Sequence, residues 1–471
     1  MNISKVFRER DPTQGGMAKD IPAITFPLWL MTGYWVIVHL WTLKFVSKVS
    51  AEAIAAVGIG GTAFMLLMVP IMGLVTAIYG MIGSFNREDK AGLARLAKQI
   101  LSTNLLISII LAILGWFFAP ALLCLLGAAP DVTFLAVTYF RICAVWLVVT
   151  SFLWPINGMI RSTRDMFQPM LLMALMFSVQ LFLAYALILG NLGFPRLEVT
   201  GAALSTTISG AVGSIVGLWM LVKGKLFREL LIKVNLKNWK EFKIQFKTLK
   251  EIINIAGFDT LEGIIRMSAG MIMLWIIAPF GTFALAAYHI GQQLFRYCAM
   301  PGIDLGMTTA IGVSNNLSAK DLKRAEKWGW ISCGMNVLFM ALIGAGFYFF
   351  ADQLIGFFRQ EPEILEIGAS YLKITVFGYA FFAVGIILRR AFAGAKDTRT
   401  PSLVYLATMG LQIALALVLS RVWGLGVFGI WWAILAASIF NGLVLAVLFK
   451  KGHWKRLVDA DTAQSNMEAD F

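Results

Sequence analysis

Charge is scarce in this chain: only 14% of its 471 residues are Asp, Glu, Lys or Arg, against 59% hydrophobic residues. A water-soluble core could not hide that much apolar surface. Histidine is rarer still, three residues in all, and no HExxH, P-loop or GxSxG pattern occurs, so the nucleophile, metal or phosphate constellations of an enzyme are missing. The four cysteines, Cys124, Cys143, Cys298 and Cys333, are scattered through or beside apolar runs, which reads as small packing residues with no disulfide or metal role. Acidic residues are the scarcer sign, 26 against 40 basic ones.

What fills the chain instead is apolar runs long enough to cross a bilayer. Twelve are expected, near 21–45, 53–84, 99–127, 132–159, 167–191, 200–222, 251–280, 283–314, 327–353, 363–392, 401–421 and 427–449. They are rich in Leu, Ala, Met and Phe and do not alternate, which excludes a transmembrane β-barrel. The fold class is an all-α polytopic membrane protein. The N-terminus has no cleavable signal pattern and is expected to be retained.

Thirty-one of the 40 basic residues fall in seven segments, at 1–22, 86–98, 161–164, 223–250, 320–327, 389–399 and 450–456. With twelve spans all seven lie on one face, and the positive-inside rule makes that face, with both termini, cytoplasmic. The net charge of +14 therefore reports topology, not a nucleic-acid partner. Loop 223–250 carries nine basic residues and reads either as a surface helix whose apolar side (Leu226, Leu230, Val234) lies on anionic lipid or as an ordinary positive-inside loop.

The chain repeats itself. "RRAFAGAKDTRTPSLV" from Arg389 has a looser cousin in "GMIRSTRDMFQPMLLM" from Gly158, pairing Asp165 with Asp397 and Pro169 with Pro401, both at an offset of 232. "TYFRICAVW" and "SYLKITVFG" align at the same offset, and "VTGAALSTTIS" and "VFGIWWAILAAS" at about 228. An offset spanning six runs returns the chain to the same side of the membrane, so two parallel six-helix repeats about a central cleft are expected, the layout of an alternating-access transporter. The domains would be a cytoplasmic tail (1–20), an N-lobe (21–222), a basic linker (223–250), a C-lobe (251–449) and a second tail (450–471). The repeated turn is read as an Asp cap on the helix begun at each Pro, with Arg389, Arg390, Lys396 and Arg399 at the cytoplasmic headgroups, and serves either to fix topology or as a gate at the cytoplasmic mouth.

Few polar groups lie well inside the spans. Asp259, Glu262 and Arg266 share one face of the seventh span, and His289, Gln293 and Arg296 one stripe of the eighth. The two spans are expected to bring Glu262, Arg266 and Arg296 within pairing reach, either as a structural salt bridge or as a substrate or coupling-ion site. Asp304, after Pro301, is a gate carboxylate or a cap at a kinked helix. In the first span Trp35, His39 and Thr42 share a face; Tyr34, Trp35, Tyr297 and Tyr379 are candidates to stack on a flat ligand.

"SAEAIAAVGIGG", "FALAAYHIGQQ", "VSNNLSAKDLKRAEKW" and "AGAKDTRTP", in this order and over residues 20–450, resemble the MATE (multidrug and toxic compound extrusion) transporters of the superfamily that also holds polysaccharide and lipid-intermediate flippases. The resemblance implies a secondary active antiporter exporting small organic molecules, driven by H+ or Na+ with no other cofactor, as a multi-pass monomer of the cell (inner) membrane. Its alternative is a flippase or exporter of an anionic or lipid-linked substrate. Such transporters carry a first-span Asp fifteen residues after a Pro; here Pro27 is followed at that distance by Thr42. The second-half carboxylates of some members match Arg266 and Phe382.

Overall fold

The computed structural model describes residues 15–83, 90–125, 130–162, 167–222, 245–357, 361–452 and 454. Among them every regular element is helical. Asp165 and Arg164 of the first-half turn, most of the basic linker and most of both tails lie outside the described residues. The helices are α1 (Met17–Ser47), α2 (Ala51–Gly83), α3 (Lys90–Leu125), α4 (Pro130–Val149), α5 (Leu153–Ser162), α6 (Phe167–Leu189) and α7 (Glu198–Val222). The second half gives α8 (Phe246–Ile277), α9 (Thr282–Ser318), α10 (Leu322–Phe349), α11 (Ala351–Gly356), α12 (Pro362–Thr375), α13 (Tyr379–Gly394), α14 (Arg399–Leu417) and α15 (Gly426–Lys451).

In hydrocarbon a backbone amide has no water to turn to, so long Leu/Ala/Phe runs close their own hydrogen bonds as helices. Among the described residues, eleven helical stretches are long and apolar enough to cross a membrane, with α12 and α13 forming one of them through a 3₁₀ turn. Large apolar side chains stay exposed along them, among them Phe117, Phe134, Ile215, Trp275 and Leu342. Lipid is the solvent that fits such a surface. The eighth expected span is the exception. At 37 residues α9 is the longest helix, yet His289, Gln292, Gln293, Arg296, Asp304, Asn315 and Asn316 leave it too polar to qualify by composition. At 37 residues it remains long enough to be the twelfth span that the sequence leads one to expect.

The duplicated plan is visible in matching contacts. Pro155 has no N–H to give Ser151, so that carbonyl is freed where α4 breaks into α5, and Asn104 Nδ2 of α3 donates to it at 2.6 Å. At the repeat offset, Asn336 Nδ2 of α10 donates to the Ala383 carbonyl of α13 at 3.2 Å. A Cβ on Gly201 would lie 2.6 Å from the Leu187 carbonyl oxygen, and one on Gly429 2.7 Å from the Leu419 carbonyl carbon, so the last helix of each half starts against the same backbone. Ser214 Oγ donates to the Val149 carbonyl at 2.7 Å; in the second half Gly442 packs on the carbonyl of Phe381, the repeat counterpart of Val149.

The residues divide into two compact units. Unit 1 holds Phe26–Gly257 and unit 2 holds Phe258–Phe471 together with Pro12–Thr25. The divisions fall inside α1 and α8, at matching positions of the two repeats, so the first helix of each repeat begins in the other repeat's unit. Ile252, Ile255 and Ala256 of α8 accordingly sit in the unit 1 core with Leu74, Ile78, Ile100 and Met159. In unit 2, the Thr25 hydroxyl donates to the Thr308 hydroxyl at 3.1 Å, and the core gathers Ile277, Tyr288, Tyr371, Tyr379 and Trp431. The cap read at Asp397 is present: its Oδ1 accepts from the Thr400 amide at 3.0 Å in the first turn of α14.

Candidate functional site

The face of α8 predicted from i, i+3, i+7 spacing exists, and it meets a partner the sequence reading placed elsewhere. Glu262 is 1% exposed, and its Oε1 accepts from Arg389 Nη1 of α13 at 2.5 Å and from Arg266 Nη1 at 3.5 Å. The same Arg389 nitrogen lies 3.8 Å from Asp259 Oδ1. Arg389 and Asp259 are 11% and 12% exposed, Arg266 51%. Two carboxylates thus face two guanidinium groups, with three of the four side chains withdrawn from the surface of the unit.

Two expectations are corrected here. Arg389 is not a headgroup residue: α13 continues beyond it to Gly394, so its side chain is still among packed helices and turns to the buried carboxylates in reach. A buried carboxylate without such a partner would be strongly destabilising. Arg296 does not pair with Glu262. The packed face of α9 is a row of small residues, Ala284, Ala287, Gly291 and Gly302, over which Tyr371 and Asn336 lie close. By the helical period His289, Gln293, Arg296 and Tyr297 fall on the opposite face. His289, Arg296 and Tyr297 are exposed there, with Gln293 half-buried.

Asp304 is buried on α9 three residues after Pro301, and the helix runs unbroken past both. It therefore caps no helix, and its carbonyl accepts from the Thr308 hydroxyl.

On α1 the Tyr34 and Ser178 hydroxyls are 2.8 Å apart, tying α1 to α6 within unit 1. Trp35 stacks on His39 with ring centroids 5.5 Å apart and planes 14° from parallel. Thr42 spends its hydroxyl on the Val38 carbonyl of its own helix at 2.8 Å. Tyr379 belongs to the core of unit 2, packed on Phe295 at 4.9 Å and on Phe347, so it is not free to stack on a ligand. Among the described residues no group of three or more His, Cys, Asp and Glu side chains is placed to hold a metal ion.

Arg389 is the member that sequence reasoning missed as part of the site. The available signal was its position ahead of "AFAGA", inside the apolar run and some two turns before Asp397.

The sequence model of the MatE family matches this chain twice, over residues 27–186 and 260–418. The starts of the two matches are separated by close to the repeat offset. A protein of Thermotoga maritima described as "Probable multidrug resistance protein NorM" is 25% identical over 425 residues, 88% of either chain. A "FAD transporter" of Shewanella oneidensis is 26% identical over 354 residues, 74% of this chain and 75% of its own. Among solved structures, a MOP superfamily transporter from Pyrococcus furiosus, whose binding pocket is described as of reverse polarity, superposes with a TM-score of 0.85 at 19% identity, covering 95% of this chain and 98% of that one. The last likeness concerns the fold.

Proposed function

Because the chain belongs to the MatE family, we propose that it is a secondary active exporter of small organic molecules, an ion-coupled antiporter of the cell membrane working by alternating access. One observation carries the reading. A polar stripe, His289, Gln293, Arg296 and Tyr297, runs along the N-terminal half of a helix of 37 residues, on the face turned away from its own packing. A guanidinium in the hydrocarbon region costs about 3 kcal/mol or more, so such a face is stable only along a water-filled path or against cargo. The resistance proteins among the relatives support the choice of small molecules as that cargo.

Each polar face then has a task. In unit 2, Arg266, Arg296 and His289 are the groups to meet charged or polar parts of cargo; in unit 1, Tyr34, Trp35 and His39 on α1 present flat surfaces and a hydrogen-bonding edge. Asp259 and Glu262 are the carboxylates in unit 2 able to exchange a proton for cargo, and Asp304 on α9 is a second candidate, for a proton or a sodium ion. In this reading the chain acts as a monomer with both termini cytoplasmic and needs no cofactor beyond the coupling ion.

A second reading, export or flipping of an anionic or lipid-linked substrate, is favoured by one feature. The exposed charges of these faces are arginines, while Asp259 and Glu262 are turned inward against Arg389. The FAD transporter among the relatives supports the idea that an anionic cargo is compatible with a related chain. Reconstitution in liposomes separates the two: impose a proton or a sodium gradient in turn and follow an organic cation and an organic anion in wild type, Glu262→Gln and Arg266→Ala. Gradient-driven export weakened by both substitutions is expected. Variants that export like wild type would remove α8 from the mechanism.

A further inference from the structure

Arg389 occupies an unusual place. One nitrogen, Nη1, stands at 2.5 Å from Glu262 and 3.8 Å from Asp259, the position a single free cation would take between two carboxylates one helical turn apart. Two carboxylates stand against the guanidinium groups of Arg389 and Arg266 in direct contact. Of the four, Arg266 is the half-exposed member, and its 3.5 Å contact is the longer of the two on Glu262 Oε1. Tyr405 of α14 and Arg390 lie within electrostatic reach of these groups. Arg390 also packs over Gly306 of α9.

The cluster is also a fastening. α9 packs broadly on α10, α12 and α13, and α14 on α15. α8 is joined to the rest of unit 2 at its C-terminal end by the burial of Met273, Ile276 and Ile277 in the core, and nearer Phe258 by these ion pairs to α13 and by the Ser402 hydroxyl, which donates to the Phe258 carbonyl at 2.9 Å.

We propose that Arg389 is a positioning residue, a counter-cation built into the chain that balances Asp259 and Glu262 and thereby holds α8 on α13, leaving these carboxylates no need of a free metal cation. Removing the guanidinium leaves two buried carboxylates on one helix face with the half-exposed Arg266 beside them. Two like charges in such a place do not both persist uncompensated, and one acquires a proton or a monovalent cation. The inference concerns charge balance and holds for any cargo; it is read in the absence of transport, so its failure and that of the export reading are separate results.

The test is thermal unfolding of the full-length protein in detergent, with sodium chloride exchanged for choline chloride at constant ionic strength and the series repeated at lower pH. Wild type and Arg389→Lys are expected to unfold at the same temperature in either salt. Arg389→Gln is expected to unfold about 5 °C or more below wild type in choline and to recover saturably with sodium or with acid. Glu262→Gln/Arg389→Gln should lose that recovery. Saturable sodium stabilisation of wild type that Glu262→Gln abolishes would overturn the proposal, as would an Arg389→Gln protein indifferent to both sodium and pH. Should Arg389→Gln yield no folded protein, the neutral Asp259→Asn/Glu262→Gln/Arg389→Gln variant decides. Its folding supports charge compensation as the role of Arg389, and its failure to fold contradicts it.

Discussion

The two units are built to one plan and differ in how each holds its first helix. In unit 1 the tie from α1 to α6 is neutral, Tyr34 to Ser178, and the Arg161 guanidinium meets the Met31 sulfur at 3.8 Å. In unit 2, α8 is tied to α13 by buried carboxylates and a buried arginine. The first-half counterparts of Asp259, Glu262 and Arg266 are Pro27, Leu30 and Tyr34. Duplication thus preserved the packing and placed the charge in one copy. A neutral hydrogen bond contributes about 1 kcal/mol whatever the pH. A buried ion cluster is worth little beyond what its desolvation costs but is severe to break, which makes it sensitive to protons and ions.

The largest expected effect breaks that asymmetry. Arg389→Ala should destabilise the protein by about 3–5 kcal/mol, the usual consequence of leaving buried charge unpaired, whereas Tyr34→Phe in the other unit should cost only about 1 kcal/mol; thermal unfolding in detergent compares them. Equal losses would mean that the ion cluster is no more than another contact.

The shared plan makes a prediction of equality. Gly201→Val and Gly429→Val each drive a side chain into the backbone before the last helix of a half, and each should cost about 1–3 kcal/mol. A wide gap between the two would show that the halves do not pack alike there.

A smaller difference is expected at the paired asparagines. Asn104 serves a carbonyl that Pro155 has deprived of its helical partner, while the Ala383 carbonyl lies inside α13, where Ile387 still has an N–H to give. Asn104→Ala should therefore cost about 1–3 kcal/mol and Asn336→Ala about 1 kcal/mol or less. Adding Pro155→Ala should shrink the first penalty and leave the second unchanged.

What was legible in the sequence follows from what leaves a periodic or charged trace. The apolar runs and the repeated turn mark the helices and their duplication, and the cap at Asp397 follows from an Asp three residues before a helical amide. Glu262 and Arg266 declare their shared face by spacing alone. Arg389 does not declare itself, because a basic residue near a turn reads the same whether it snorkels to headgroups or turns inward to a carboxylate on a helix 127 residues away. Depth and direction of such a side chain are fixed by tertiary pairing. Asn104 and Asn336 left no trace either, being single neutral residues in apolar runs whose partners are backbone carbonyls. The polarity of α9 was legible residue by residue. Its consequence, a face turned away from the packed row of glycines and alanines, needed the helix neighbours.

The most direct measurement of the central claim is aqueous accessibility of the polar faces. In a background without native cysteines, single cysteines at 266, 289 and 296 would be challenged with a membrane-impermeant thiol reagent from each side of the bilayer, with a proton or sodium gradient imposed in either direction. Cysteines at 264 and 283, where Ile264 and Phe283 stand exposed and apolar, serve as lipid-facing controls. The account predicts labelling at the polar positions from one side at a time, the side changing with the gradient, and none at the controls. Labelling from both sides at once, or no labelling at the polar positions under any gradient, would contradict it.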